Sequence, residues 1–139
     1  MSAWVVDASV ALKWVVAEEG SEAASGLAGE ALSAPSLLLA ECANALWVKA
    51  RRGELDAEEA VDRLALLHQA PVRLVAIEVL TESAARLAFE LDHSVYDCLY
   101  LALALQQECA LITADRRLVR ALARDRELAG RVRLLGESP

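Results

Sequence analysis

Apolar residues fall along this chain in short runs of two kinds. One kind is brief and rich in β-branched residues: AWVVD (3–7), PVRLVAI (71–77), CALITA (109–114) and RVRLL (131–135). Runs of that length and composition, bounded by turn or charged residues, predict strands. The second kind is longer and spaced at three and four. It predicts helices over 8–19, 36–52, 56–69, 78–92 and 115–124. Residues 95–107 are apolar nearly all round and predict a buried helix. Residues 21–32 are Ala-rich but carry Gly26 and Gly29, so the helix expected there is weak. The SAP stretch at 33–35 reads as a very short strand or a turn. Asp56 followed by Glu58 and Glu59 marks a helix start, and Gly53 marks a helix end.

Strands that alternate with helices imply an α/β fold built on a parallel sheet, with right-handed crossovers. The length, 139 residues, fits one domain spanning 1–139, with no internal repeat or linker. In such sheets a site forms beyond the carboxyl ends of the strands, where the strand order reverses. Asp7 ends the first strand and Asp115 closes the run at 109–114. If those two strands are neighbours, both carboxylates face one crevice.

Composition narrows the class. Apolar residues make up 56% of the chain, which excludes disorder. Aromatics are only 4%, so the core must be built from Leu, Val and Ala. The apolar surplus also points to a surface that a partner covers. Cys42, Cys98 and Cys109 have no metal-ligand spacing and read as small buried thiols, which suits a reducing compartment. The first ten residues lack a basic segment. The longest apolar run, 37–48, is interrupted by Glu41 and Asn44 and is too short to span a bilayer. A cytoplasmic protein is expected. The net charge of −7 argues against binding nucleic acid by bulk positive charge, but not against local arginines and metal ions meeting a phosphate.

Of the 21 acidic residues most lie on polar faces as solvated charge. Four stand instead in apolar surroundings: Asp7 in WVVDAS, Glu41 in LLLAECANAL, Asp97 in VYDCLYLAL and Asp115 in LITADRR. Each alone has an ordinary explanation, since acids are favoured at helix starts; Glu78 after the 71–77 run is read that way. Gathered in one crevice, the four would repel and raise one another's pKa, which a hard divalent cation relieves. Oxygen donors without His or Cys favour Mg²⁺ or Mn²⁺ over zinc.

These segments carry a resemblance. VVDASVALKW, PSLLLAECANAL, HSVYDCLYLALA and LITADRRL, in that order, resemble the four acidic motifs of PIN-domain ribonucleases, and specifically of VapC toxins from toxin–antitoxin pairs. The resemblance covers nearly the whole chain. It implies a five-stranded parallel sheet in the order 3-2-1-4-5 flanked by helices. It implies a Mg²⁺- or Mn²⁺-dependent endoribonuclease, with Asp7, Glu41, Asp97 and Asp115 as the catalytic and metal-binding quartet. Ser9 and Thr113 match the small hydroxyl residues beside the quartet, and Asn44 matches the amide that follows the glutamate. Products with a 3′-hydroxyl and a 5′-phosphate, a homodimer, and silencing by a VapB-like antitoxin are implied in the same way.

Around this site, Arg116, Arg120 and Arg124 are four apart and form one basic stripe, with Arg117 beside it. The stripe starts next to Asp115 and is a candidate path for an RNA backbone; a solvated face paired with Asp125 and Glu127 is the plainer alternative. Trp14 and Trp47 read as core or rim residues that also suit a groove for an antitoxin segment. His68 and His93 are assigned no role. A haloacid-dehalogenase-type phosphatase would need a second acid where Ser9 stands, and no nucleotide-cofactor motif is present. The remaining alternative is a non-catalytic metal- or RNA-binding module, or a subunit of a repressor complex.

Overall fold

The computed structural model describes residues 3–137. Five parallel strands form one sheet: β1 (Ala3–Val6), β2 (Ala31–Pro35), β3 (Val72–Val75), β4 (Ala110–Thr113) and β5 (Val132–Leu134). Their order is β3-β2-β1-β4-β5, as the resemblance implied. The chain winds outward from β1 to β3 and then crosses back to start β4 on the other side of β1. The order therefore reverses between β1 and β4, which is where α/β sheets open a crevice. Trp4 pairs with Ala110, Val5 with Leu111 and Val6 with Ile112, so the two strands end level with each other.

Seven α-helices flank the sheet among the described residues: α1 (Ala8–Ala11), α2 (Ser21–Ser25), α3 (Leu37–Arg51), α4 (Ala57–Leu67), α5 (Thr81–Leu91), α6 (Val95–Gln106) and α7 (Arg116–Ala123). Successive strand residues point to opposite faces. Val5 and Leu111 enter the larger core cluster, with Leu38, Cys42, Leu46 and the helix α6. Val6, Leu32 and Ile112 enter a smaller one, closed by Val10 and Ala24 and by Trp14, whose Nε1 donates to the Ala24 carbonyl over 2.9 Å. Helix α6 is buried without a break from Cys98 to Ala104, which explains its lack of a polar face. Ser33, inside β2, donates to Gln107 Oε1 at the end of α6 over 2.7 Å, so the one hydroxyl in that strand is satisfied.

Two stretches differ from the expected pattern. The helix expected over 8–19 is only α1 and a 3₁₀ turn, Leu12–Trp14. Lys13 then reaches forward to the Glu19 carbonyl over 2.6 Å, and Gly20 at φ 89° turns the chain back. The weak helix over 21–32 stops at Ser25; Gly29 adopts φ 96°, and residues 31–35 become β2. Pairing of β2 with both β1 and β3 outweighs the local helical preference of its alanines. Among the described residues no helix is long and apolar enough to cross a membrane.

Candidate active site

Asp7 follows β1 directly and caps α1, so its carboxylate lies at the carboxyl ends of β1 and β4, against Thr113. It is 9% exposed. Oδ1 accepts from Ser9 Oγ at 2.5 Å and from the Val10 amide at 3.3 Å, and Oδ2 accepts from Thr113 Oγ1 at 2.5 Å. Both hydroxyls are themselves approached from behind. The Ala114 amide donates to Ser9 Oγ (2.8 Å) and the Asp115 amide to Thr113 Oγ1 (3.1 Å). Each hydroxyl thus accepts from the backbone and donates to Asp7, and the two hydroxyl oxygens lie 3.3 Å from each other. Burial raises the Asp7 carboxyl to about 6; the hydrogen bonds from Ser9, Thr113 and Val10 oppose that rise, and the charge of Asp97 adds to it.

Glu41 lies on α3 and is half-buried. Its Oε1 accepts from the Tyr100 hydroxyl of α6 at 2.5 Å. Burial raises its pKa, the Tyr100 bond works against that, and the charge of Asp97 reinforces it. Tyr100 itself is pushed well above the ordinary phenol range, by burial first and then by its bond to Glu41, and so acts only as a donor. Asp97 occupies the first turn of α6, whose N-cap Ser94 accepts the Asp97 amide at 3.3 Å. Asp97 Oδ2 meets His93 Nε2 at 2.8 Å. Asp115 caps α7, and its Oδ1 accepts the amides of Arg117 (2.9 Å) and Leu118 (3.3 Å).

Asp7, Glu41 and Asp97 thus come from three elements, and the charge of Asp97 acts on both Asp7 and Glu41, while Asp115 joins Asp7 through Thr113. Three of the four share a pattern. One oxygen of Glu41, Asp97 and Asp115 is held by a partner, and the other has no hydrogen bond among the described residues. No group of three or more His, Cys, Asp or Glu side chains among the described residues is gathered closely enough to hold a metal ion by protein donors alone. That arrangement suits a cation such as Mg²⁺, which takes one or two carboxylates and keeps several waters. The donor chemistry fits too: the four acids offer oxygen donors alone, and Asp7 among them is a buried carboxylate whose pKa is raised chiefly by burial.

The other residues fall in different places. Ser9 and Thr113 belong to the site as holders of Asp7. Asn44 is exposed on α3 and makes no hydrogen bond to the acids among the described residues. Arg116, Arg117 and Arg120 are exposed on α7, and Arg116 lines a hollow of about 210 Å³ with Lys13 and Ala114, next to Asp115. Two site residues escaped the reading of the sequence. Tyr100 is three residues after Asp97, a spacing that puts both on one face of α6, and its hydroxyl in an apolar helix was the available signal. His93 precedes Asp97 by four residues, which the pairing across the start of α6 uses.

The PIN-domain family model matches residues 4–124, and the chain belongs to the PIN-domain family. Within that class it is similar to Ribonuclease VapC3 of Pyrobaculum aerophilum, at 37% identity over 118 residues that cover 82% of this chain and 90% of the relative. The fold is shared with the crystal structure of PAE2754 from Pyrobaculum aerophilum, with a TM-score of 0.67 at 24% identity, covering 94% of this chain and 83% of that one.

Proposed function

We propose that this chain is a divalent-metal-dependent endoribonuclease, the toxin of a VapBC-type pair, hydrolysing RNA at the site formed by Asp7, Glu41, Asp97 and Asp115. The observation that carries the reading is Asp7: a buried carboxylate, oriented by two hydroxyl donors at the reversal point of the sheet, with the charge of Asp97 adding to the rise in its pKa that burial causes. A purely structural acid at a helix cap needs no such surroundings. The similarity to a VapC ribonuclease adds the substrate class and the expectation of a VapB-like antitoxin; a homodimer is expected from the resemblance of the acidic motifs alone.

Asp7, Asp97 and Asp115 would hold Mg²⁺ or Mn²⁺ directly or through water, with Glu41 at the edge. When bound, such an ion neutralises phosphate charge, polarises the phosphodiester and eases deprotonation of water. The chain's own groups do the rest. Ser9 and Thr113 keep Asp7 oriented, and they act through it and not on the phosphate. Glu41 Oε2, facing the cation site, orients the attacking water, which gives up its proton to solvent as its oxygen bonds to phosphorus and the P–O3′ bond breaks. The departing oxygen takes up a proton from solvent, leaving a 3′-hydroxyl and a 5′-phosphate. Arg116, Arg117 and Arg120 receive the RNA backbone on α7.

Cleavage of a labelled total-RNA pool with Mg²⁺, Mn²⁺ or EDTA tests this, using partner-free wild type beside Asp7→Ala and Asp97→Ala. Metal-dependent cutting should fall at least about 100-fold in both variants. A folded wild type that binds RNA or metal and never cuts would establish the non-catalytic module instead.

A further inference from the structure

Resting on the metal-site reading above, we propose that Tyr100 is a positioning residue: its hydroxyl fixes Glu41 by one oxygen so that the other is presented to the cation site. The placement is specific. Tyr100 is 2% exposed, in a helix whose stretch from Cys98 to Ala104 is wholly buried and otherwise without a polar side chain beyond thiol. A leucine or phenylalanine would fill that space without a hydroxyl needing a partner. The hydroxyl does not cap local backbone. It reaches a carboxylate 59 residues earlier in the chain, on α3, at 2.5 Å. A hydrogen bond to an ionised acceptor is short and strong, and in a low-dielectric setting it fixes geometry well.

The consequence for Glu41 follows from its flexibility. A half-buried glutamate has three side-chain torsions, and without a fixed partner its carboxylate samples several of them. Holding Oε1 leaves Oε2 as the oxygen with no hydrogen bond among the described residues, and it leaves it in a defined place. Asp97 sits one turn before Tyr100 on the same face of α6. One rigid helix therefore both supplies Asp97 and anchors Glu41, which sets the separation of the two acids. Outer partners of this kind orient ligands in metal sites, and their loss weakens metal binding by roughly 10- to 100-fold.

The hydroxyl alone distinguishes positioning from packing, so Tyr100→Phe is the decisive variant. Mn²⁺ binding by titration calorimetry would be compared for wild type, Tyr100→Phe, Glu41→Ala and the double variant, with thermal melts of each. Tyr100→Phe should weaken Mn²⁺ binding about tenfold with a cooperative melt retained, and should lower kcat while KM for RNA stays the same. In the Glu41→Ala background the same change should alter Mn²⁺ binding by less than about twofold, because the hydroxyl acts only through Glu41. Wild-type Mn²⁺ affinity in Tyr100→Phe, or an equal loss in both backgrounds, would overturn the inference. So would a Tyr100→Phe chain that fails to fold, since the hydroxyl would then be a folding requirement. A wild type that binds no Mn²⁺ overturns the metal site and this inference with it; a wild type that binds beside an unaffected Tyr100→Phe overturns this inference alone.

Discussion

Asp7 is where folding and chemistry pull in opposite directions. Its carboxyl titrates near 6 in the folded chain against 3.8 ordinarily, chiefly because it is buried. The folded state therefore holds this proton more tightly than the unfolded one. The resulting stability is present in full below the unfolded value and is lost as pH rises through about 6, by an amount on the order of 3 kcal/mol at most. Metal binding needs the ionised form, so the working site carries a charge that the fold disfavours until a cation arrives. Asp7→Asn removes the titration while keeping the shape. In EDTA, its melting temperature should match wild type near pH 4 and exceed it by up to about 10 °C at pH 8. Mn²⁺ should then raise the wild type and not the variant. Melts across that pH range decide the matter: a constant difference would mean that Asp7 titrates as an exposed aspartate does.

Helix α4 illustrates how far an element is written in local sequence. Asp56 Oδ1 accepts the Glu59 amide at 2.8 Å, and Glu59 Oε1 accepts the Asp56 amide at 3.3 Å, a reciprocal cap that the D-x-x-E spacing announces. Asp56→Ala should cost about 1 kcal/mol in urea unfolding and leave RNA cleavage unchanged, since α4 contributes nothing to the acidic site. Where local signals agree in this way, the element is legible: β1, β4, α4 and the fully apolar α6 all are. Strand β2 is legible only in part, as a short strand or turn at 33–35, because its residues ALSAP take their structure from two neighbouring strands distant in sequence. The same division runs through the site. Asp7 and Asp115 could be placed because each adjoins a strand end, and the strand order brings those ends together. The bond from Tyr100 to Glu41 joins two helices 59 residues apart, and no spacing rule announces it. His93 lay within reach of Asp97 by helical spacing, but a histidine ahead of a helix is too common to single out.

The whole molecule is a polyanion whose proposed substrate is also one. Twenty-one acidic residues face 14 basic ones. The candidate site adds carboxylates at the point where a phosphate must arrive, so affinity for RNA has to come from cations placed locally. Helix α7 supplies them beside Asp115. Among the described residues none of Arg116, Arg117, Arg120 or Arg124 is held in a salt bridge, and Asp125, which might have paired with them, accepts the Glu127 amide instead. These guanidinium groups are therefore free to meet phosphate oxygens. Phosphate contacts of this type are insensitive to base sequence and release counterions on binding. Replacing Arg116 and Arg120 together by alanine, in an Asp7→Ala background that cannot cut, should weaken binding of unrelated single-stranded RNAs to a similar degree. The slope of log affinity against log salt should become shallower by about 1.4, the value expected for two lost contacts to a single strand. Filter binding over a salt series measures both quantities. An unchanged slope would make the stripe an ordinary solvated face and shift the search for the RNA path to Lys13 and the hollow it shares with Arg116.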